Sequence, residues 1–329
     1  MRIQKIGYRK QLTLEEFGDL VVWQKVRQPY PPLYPVFYTL YSKIKIFFEL
    51  SKVKISLLAA LSTATGFILA TDGLLAEIII PTLGIFLLAC GASALNQYQD
   101  RKIDALMDRT KLRPIPSGKV PPFRALFVAL FLIFAGSIIL FSGSTLAVLG
   151  LGVFAVLWYN GVYTYLKRRS TFAVLPGALI GAIPPAIGWV AGGRNILEPQ
   201  ILAIAFFFFI WQVPHFWLLL LNYGGDYEKA GLPSVTRILT PGQLKRITFI
   251  WIVATAVACI LIPIFSRVNS YIINLCLLSA ALWLAGNATK LLRDYNKEFS
   301  FKLAFREINI YALIVISLLS VDKLMKLVG

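Results

Sequence analysis

From Val53 onward the chain is written as nine apolar runs, each long enough to cross a bilayer, which takes about 20 residues as a helix. They begin near Val53, Leu74, Phe123, Leu146, Phe172, Gln200, Ile247, Tyr271 and Ile308. In lipid every backbone N–H and C=O must be satisfied within the protein, so spanning segments are helices or closed barrels. Barrel strands alternate apolar and polar residues over about ten positions, and runs such as LAIAFFFFIWQV do not alternate. The fold class is therefore an all-α integral membrane protein with nine transmembrane helices in one bundle. Only 15% of the residues are charged, against about 25% in soluble domains, which excludes a water-soluble enzyme.

The net charge of +17 suggests nucleic acid in a soluble protein, but its placement here has another cause. With the N-terminus inside, 29 of the 33 lysines and arginines fall on one face; Arg194, Arg267, Lys323 and Lys326 fall on the other. The positive-inside rule then predicts a cytoplasmic N-terminus in a multi-pass protein of the cell (inner) membrane, with the lipid bilayer and not nucleic acid as its surroundings. Residues 1–47, with the proline cluster PYPPLYP, read as a cytoplasmic or interfacial arm, and residues 48–329 as the nine-helix domain. The start lacks a signal-peptide apolar core, and Glu15, Glu16 and Asp19 are foreign to a transit peptide, so no cleaved segment is expected. Cys90, Cys259 and Cys276 lie in apolar segments without disulfide or zinc spacing and read as small packing residues.

Two long polar loops, residues 100–122 and 222–246, emerge on the predicted cytoplasmic face, which makes that face the place for chemistry. The second span ends in ASALNQYQDRKIDALMDRTKLRPIPSG, where Asn96, Asp100 and Asp104 recur every four residues and share one helical stripe, with Asp108 one step further. Carboxylates at i, i+4 repel, and each acid inside a membrane costs about 2.5–3.5 kcal/mol. A divalent cation offsets both, and hard oxygen ligands suit Mg²⁺, which is commonly shared with substrate phosphates. Arg109, Lys111 and Arg113 follow in a loop closed by Pro114, Pro116 and Gly118, a cationic cluster fit for a diphosphate. The plainer reading is a helix end whose acids pair with Arg101, Lys102 and Arg109. At the end of the sixth span Asn222 and Asp226 again sit four apart, a second metal half-site, and Tyr163, Lys167 and Arg168 reach the same face after the fourth span.

These residues carry a resemblance. NQYQDRKIDALMDRTKLRPIPSG resembles the first Asp-rich motif of the UbiA superfamily of intramembrane prenyltransferases, and specifically its protoheme IX farnesyltransferase (heme O synthase) branch. WQVPHFW, YTYLKRRS and LIGAIPPAIGWVAG are similar to further signatures of that branch, and the similarity runs from about Phe48 to the C-terminus. Gln97 stands where many superfamily members carry an aspartate. The resemblance implies that Asn96, Asp100 and Asp104 bind Mg²⁺ and diphosphate, that Arg109, Lys111 and Arg113 hold the diphosphate, and that Asp226 belongs to the second metal site. It implies farnesyl diphosphate and heme B as substrates, heme O as product, and heme A synthase or terminal oxidase assembly proteins as partners. His215, the only histidine, is then a candidate heme-iron ligand. The aromatic residues Phe206 to Phe209, Trp211, Phe216 and Trp217 are candidate shelters for an allylic cation. Two alternatives remain open at this point: the same chemistry with another acceptor, such as a quinone precursor or a chlorin, or a heme or anion transporter.

Overall fold

The computed structural model describes residues 34–73, 75–266, 268, 270–293 and 297–328, so most of the expected arm lies outside the described residues. The chain divides into two units, residues 1–45 and 46–329. Of the first, the described part is helical and opens α1 (Tyr34–Leu50).

The second unit is built from long helices: α2 (Val53–Ala70), α3 (Ile79–Asp104), α4 (Pro122–Gly143), α5 (Leu146–Leu157), α6 (Val174–Ala191), α7 (Pro199–Asn222), α8 (Pro241–Ser266), α9 (Tyr271–Ala288) and α10 (Lys297–Val328). Among the described residues nine segments are long and apolar enough to cross a membrane, one on each of α2 to α10. Helices α8 and α10, which carry the seventh and ninth spans, begin earlier than their apolar runs, at Pro241 and Lys297 and not near Ile247 and Ile308. Their first turns are amphipathic: Leu244, Phe301 and Ala304 are buried while Gln243, Arg246, Lys302 and Arg306 are exposed. Mean hydropathy alone passes over such turns.

Local sequence fixes the helix starts. Pro122 and Pro199 sit at the first helical position, where a missing N–H costs nothing. Thr145 and Ser270 accept from the amides of Val148 (3.4 Å) and Ile273 (3.3 Å) as N-caps. The α5 span changes pitch midway: Trp158–Tyr163 form a π-helical turn before α-geometry resumes at Thr164–Leu166. Such turns insert one residue into the helical repeat and are frequent at functional sites.

Packing between α2 and α6 depends on glycine, as close helix contacts in lipid generally do. A Cβ at Gly66 meets the Pro185 carbonyl oxygen at 2.0 Å, and one at Gly188 meets the Thr63 oxygen at 1.8 Å. Cys90 and Cys259 pack in the interior as expected, whereas Cys276 is exposed on the outside of α9. The bundle is tied at both ends. At one end Asp72, following α2, takes Arg194 of the α6–α7 loop at 2.9 Å and Lys323 of α10 at 2.7 Å. At the other end the loops after α3, α5 and α7 meet, and there the polar residues accumulate.

Candidate active site

The stripe on α3 survives as a buried row: Asn96, Asp100 and Asp104 are between 2% and 4% exposed. Asn96 Nδ2 donates to Asp100 Oδ2 (3.0 Å) and, across to the α5 span, to Thr164 Oγ1 (2.9 Å). Lys167 Nζ and Arg168 Nη2 both bind Asp100, the latter at 3.0 Å. Arg113 Nη1 binds Asp104 Oδ2 at 2.7 Å, and Thr110 Oγ1 donates to the Asp104 carbonyl at 2.8 Å. The acids therefore pair with cations brought from 9, 67 and 68 residues away, and not with Arg101, whose guanidinium donates to the Tyr98 carbonyl and lies over that ring.

The π turn sets this geometry. Asn160, within it, donates to the Ala92 carbonyl (3.0 Å) and to Gln99 Oε1 (3.1 Å), and Gln99 Nε2 returns a bond to the Asn160 carbonyl (3.1 Å). Together with Thr164 this locks the α5 span onto α3 beside Asp100. Tyr163 stacks on Tyr159 (5.9 Å between centroids) and on Phe216 of α7 (5.5 Å), and Lys167 Nζ lies 5.8 Å from its ring centre. An aromatic wall thus runs from the ion pairs toward α7.

Asp226, on the short helix Gly224–Lys229, accepts from the backbone N–H groups of Asp108 (3.3 Å) and Arg109 (3.0 Å). Lys229 joins Asp108 at 2.5 Å, and Lys111 joins the same carboxylate at 2.7 Å. Hydrogen bonds from these two lysines hold the Asp108 carboxyl down at about 2, and Asp108 in turn raises Lys229. Arg109 turns its guanidinium over the Tyr223 ring, 4.7 Å from its centre. Of the three loop cations, Arg113 enters the aspartate chamber, while Arg109 and Lys111 stay exposed at its rim. Asn222, the last residue of α7, keeps Oδ1 buried without a hydrogen-bond partner.

Two residues of the chamber carried no sequence signal. Lys52, at the corner between α1 and α2, lies within electrostatic reach of Asp100, Asp104, Lys167 and Arg113; burial first, then the two neighbouring cations, lower it to about 7. Tyr227 is raised by burial, against the pull of Arg109 and Arg113. A lysine before an apolar run, with Lys54 two residues on, reads as a topology charge, and a tyrosine in a loop reads as nothing in particular. Gln97 proves structural: its Nε2 donates to the carbonyls of Glu49 (2.7 Å) and Leu50 (2.9 Å), docking the end of α1 beside the stripe.

His215 lies apart from the carboxylates, between Trp211 and Phe305, with ring centroids 4.9 Å and 5.0 Å away. Asn309 uses its Nδ2 on the Phe305 carbonyl, so its Oδ1 accepts from His215 Nδ1 at 2.9 Å. That arrangement puts the proton on Nδ1 and leaves Nε2 as a lone-pair donor. Among the aromatic candidates, Phe207, Phe208 and Trp217 are core residues and Phe206 is exposed; Phe216 is the one that reaches the wall beside Lys167.

The model of the UbiA prenyltransferase family matches residues 59–310. The chain belongs to this family. A protein of Oleidesulfovibrio alaskensis named protoheme IX farnesyltransferase is 32% identical over 276 residues, 84% of this chain and 95% of that one. One of the same name from Geobacter sulfurreducens is 37% identical over 220 residues, 66% of this chain and 80% of its own length. Solved UbiA folds superpose on most of the chain. A digeranylgeranylglyceryl phosphate synthase gives a TM-score of 0.69 at 16% identity, covering 86% of this chain and 99% of that one. A UbiA homologue from Archaeoglobus fulgidus bound to GPP and Mg²⁺ gives 0.58 at 15% identity, covering 83% and 99%.

Among the described residues, no three His, Cys, Asp or Glu side chains gather into a set able to hold a metal by themselves. The donor set nevertheless fits Mg²⁺. The carboxylates of Asp100 and Asp104, the amide oxygen of Asn96 and the buried, unpartnered amide oxygen of Asn222 are hard oxygen donors, and Mg²⁺ completes its shell with water and substrate phosphate.

Proposed function

We propose that this UbiA-family prenyltransferase moves a farnesyl group from farnesyl diphosphate to a vinyl group of protoheme IX (heme B), giving heme O. The observation that carries the reading is the buried Asp100–Asp104 row, flanked by Lys167, Arg168 and Arg113 and walled by Tyr163 and Phe216. The named relatives supply the acceptor.

A prenyl diphosphate is a greasy tail with a polyanionic head, and this end of the bundle offers an aromatic wall leading to a cationic chamber. Asn96, Asp100, Asp104 and Asn222 would hold Mg²⁺, with Asp226, whose oxygens cap the Asp108 and Arg109 amides, contributing through water; the ion would neutralise charge on the diphosphate as its bond to the allylic carbon lengthens. Arg113, Lys167 and Arg168 exchange carboxylate for diphosphate oxygens and stabilise the leaving group more as it departs than before. Tyr163 and Phe216 present ring faces to the developing allylic cation and keep water from it. The vinyl carbon then bonds to the farnesyl carbon, and water adds to the carbon beside the porphyrin ring and releases a proton. His215, with Nε2 free to ligate iron, orients the acceptor from the α7–α10 side. The distribution of basic loops supports a chamber that faces the cytoplasm.

Incubating the purified protein with farnesyl diphosphate, Mg²⁺ and heme B tests the reading. Mass spectrometry should find a porphyrin heavier by one farnesyl group and one hydroxyl, its vinyl group converted to hydroxyethylfarnesyl, and a porphyrin fraction left unchanged defeats it.

A further inference from the structure

Lys52 is the only non-glycine residue with a positive φ among the described residues, at φ 45° and ψ 49°. A left-handed backbone strains any residue that carries a Cβ, and glycine is the residue that such corners ordinarily select. Strain of this kind persists where the surroundings over-determine it, and it concentrates at ligand sites. The surroundings here do over-determine it. Ser51 N donates to the Phe47 carbonyl (2.9 Å), Ile55 N and Ser56 N both close onto the Lys52 carbonyl (2.9 and 3.1 Å), and Gln97 grips the two carbonyls just before the corner.

The side chain gives the strain a purpose. Lys167 and Arg168 share Asp100, and Arg113 takes Asp104, whereas Lys52 forms no ion pair among the described residues. It is half-buried, and its environment disfavours a charge with no counter-ion. Four cations thus face two buried carboxylates, so the chamber is complete only when a polyanion enters it.

We propose that Lys52 binds the diphosphate of the prenyl substrate: the left-handed corner holds its ammonium at the chamber, and the strain is retained for that contact. The proposal rests on the prenyl-transfer reading, and its test separates the two. Full-length protein in lipid nanodiscs is titrated calorimetrically with inorganic pyrophosphate plus Mg²⁺, and its thermal unfolding is followed. Lys52→Gly should unfold at a higher temperature than wild type yet bind pyrophosphate about 10- to 100-fold more weakly, the loss expected for one charge-assisted contact. Lys52→Asn, which also accepts the left-handed region, should weaken binding similarly, and Lys52→Arg should recover most of it. Wild-type affinity in either the Gly or the Asn variant overturns the assignment, as does weaker binding joined to a lower unfolding temperature in Lys52→Gly, which marks a structural role. A wild-type protein that ignores pyrophosphate removes the prenyl-transfer reading together with this one.

Discussion

Asp104 and Asp108 stand one helical turn apart in sequence and are treated in opposite ways. Asp104 closes α3 with a side chain 2% exposed and a single guanidinium partner, Arg113. Asp108 begins the following loop with a side chain 55% exposed and two lysines, Lys111 and Lys229, upon it. The inner pair lies where a charge is costly to leave alone, so its cation is committed until a replacement anion arrives. The outer pairs sit in water, where screening leaves such contacts little energy, and their use is to hold two loops in register. Ion pairs on carboxylates four residues apart thus serve as reagent and as fastening, and burial decides which.

The contrast can be broken at its strongest point. Asp100→Asn and Asp104→Asn should each lower turnover by at least about 10³-fold while the protein still elutes as a folded species, because each removes a charge facing the metal and diphosphate. Retained heme O formation in either variant breaks the assignment. Lys167→Gln comes next. It leaves Arg168 on Asp100, so a loss of about 10²-fold in kcat is expected from steady-state rates.

His215→Ala should weaken heme binding about 10-fold in a spectral titration and leave pyrophosphate binding untouched, since the ring lies away from the carboxylates. Identical heme titrations of the two proteins remove the histidine from the acceptor site. Asp226→Asn should loosen the loop that its oxygens cap and lower kcat/KM only several-fold, with faster amide exchange at Asp108 and Arg109 as the accompanying sign.

Asp108→Asn should have the smallest effect, leaving activity within experimental scatter. In the intact protein the Asp108 carboxyl is held from the ordinary 3.8 down to about 2. A depressed carboxylate contributes fully above its ordinary value and loses the contribution as pH falls through the lowered one. Loop amide protection should accordingly persist at pH 5 and decline between about pH 4 and 2; a decline already complete at pH 5 contradicts the pairing.

Periodicity made the bundle legible, because lipid leaves a chain few ways to satisfy its backbone. Nine spans, the shared stripe of Asn96, Asp100 and Asp104, and the meeting of the loops after α3 and α7 could all be read from spacing and charge. What pairs with what could not. Arg109, Lys111 and Arg113 look alike as a cluster, but the turn bonded through Thr110 and Arg113 sends only the last inward. Gln97 resembles a departure from an acidic motif and is instead a clamp on α1. The corner that aims Lys52 depends on a backbone conformation to which no residue type in the sequence points. Wet first turns on α8 and α10 escaped for a different reason, since their apolar residues are too sparse to raise an average.

The π turn at Trp158–Tyr163 has a consequence for how this membrane segment tolerates change. One added residue advances everything after it by about 100° around the helix axis, which sets the angular phase between the lipid-facing half of the span and the half bearing Thr164, Lys167 and Arg168. Deleting Gly161, which is exposed and has open space around it, would restore an ordinary pitch and leave every side chain chemically intact. The lysine and arginine would then rotate off Asp100 together: the segment can lose its activity by a change of timing alone, with composition and hydropathy almost unaltered.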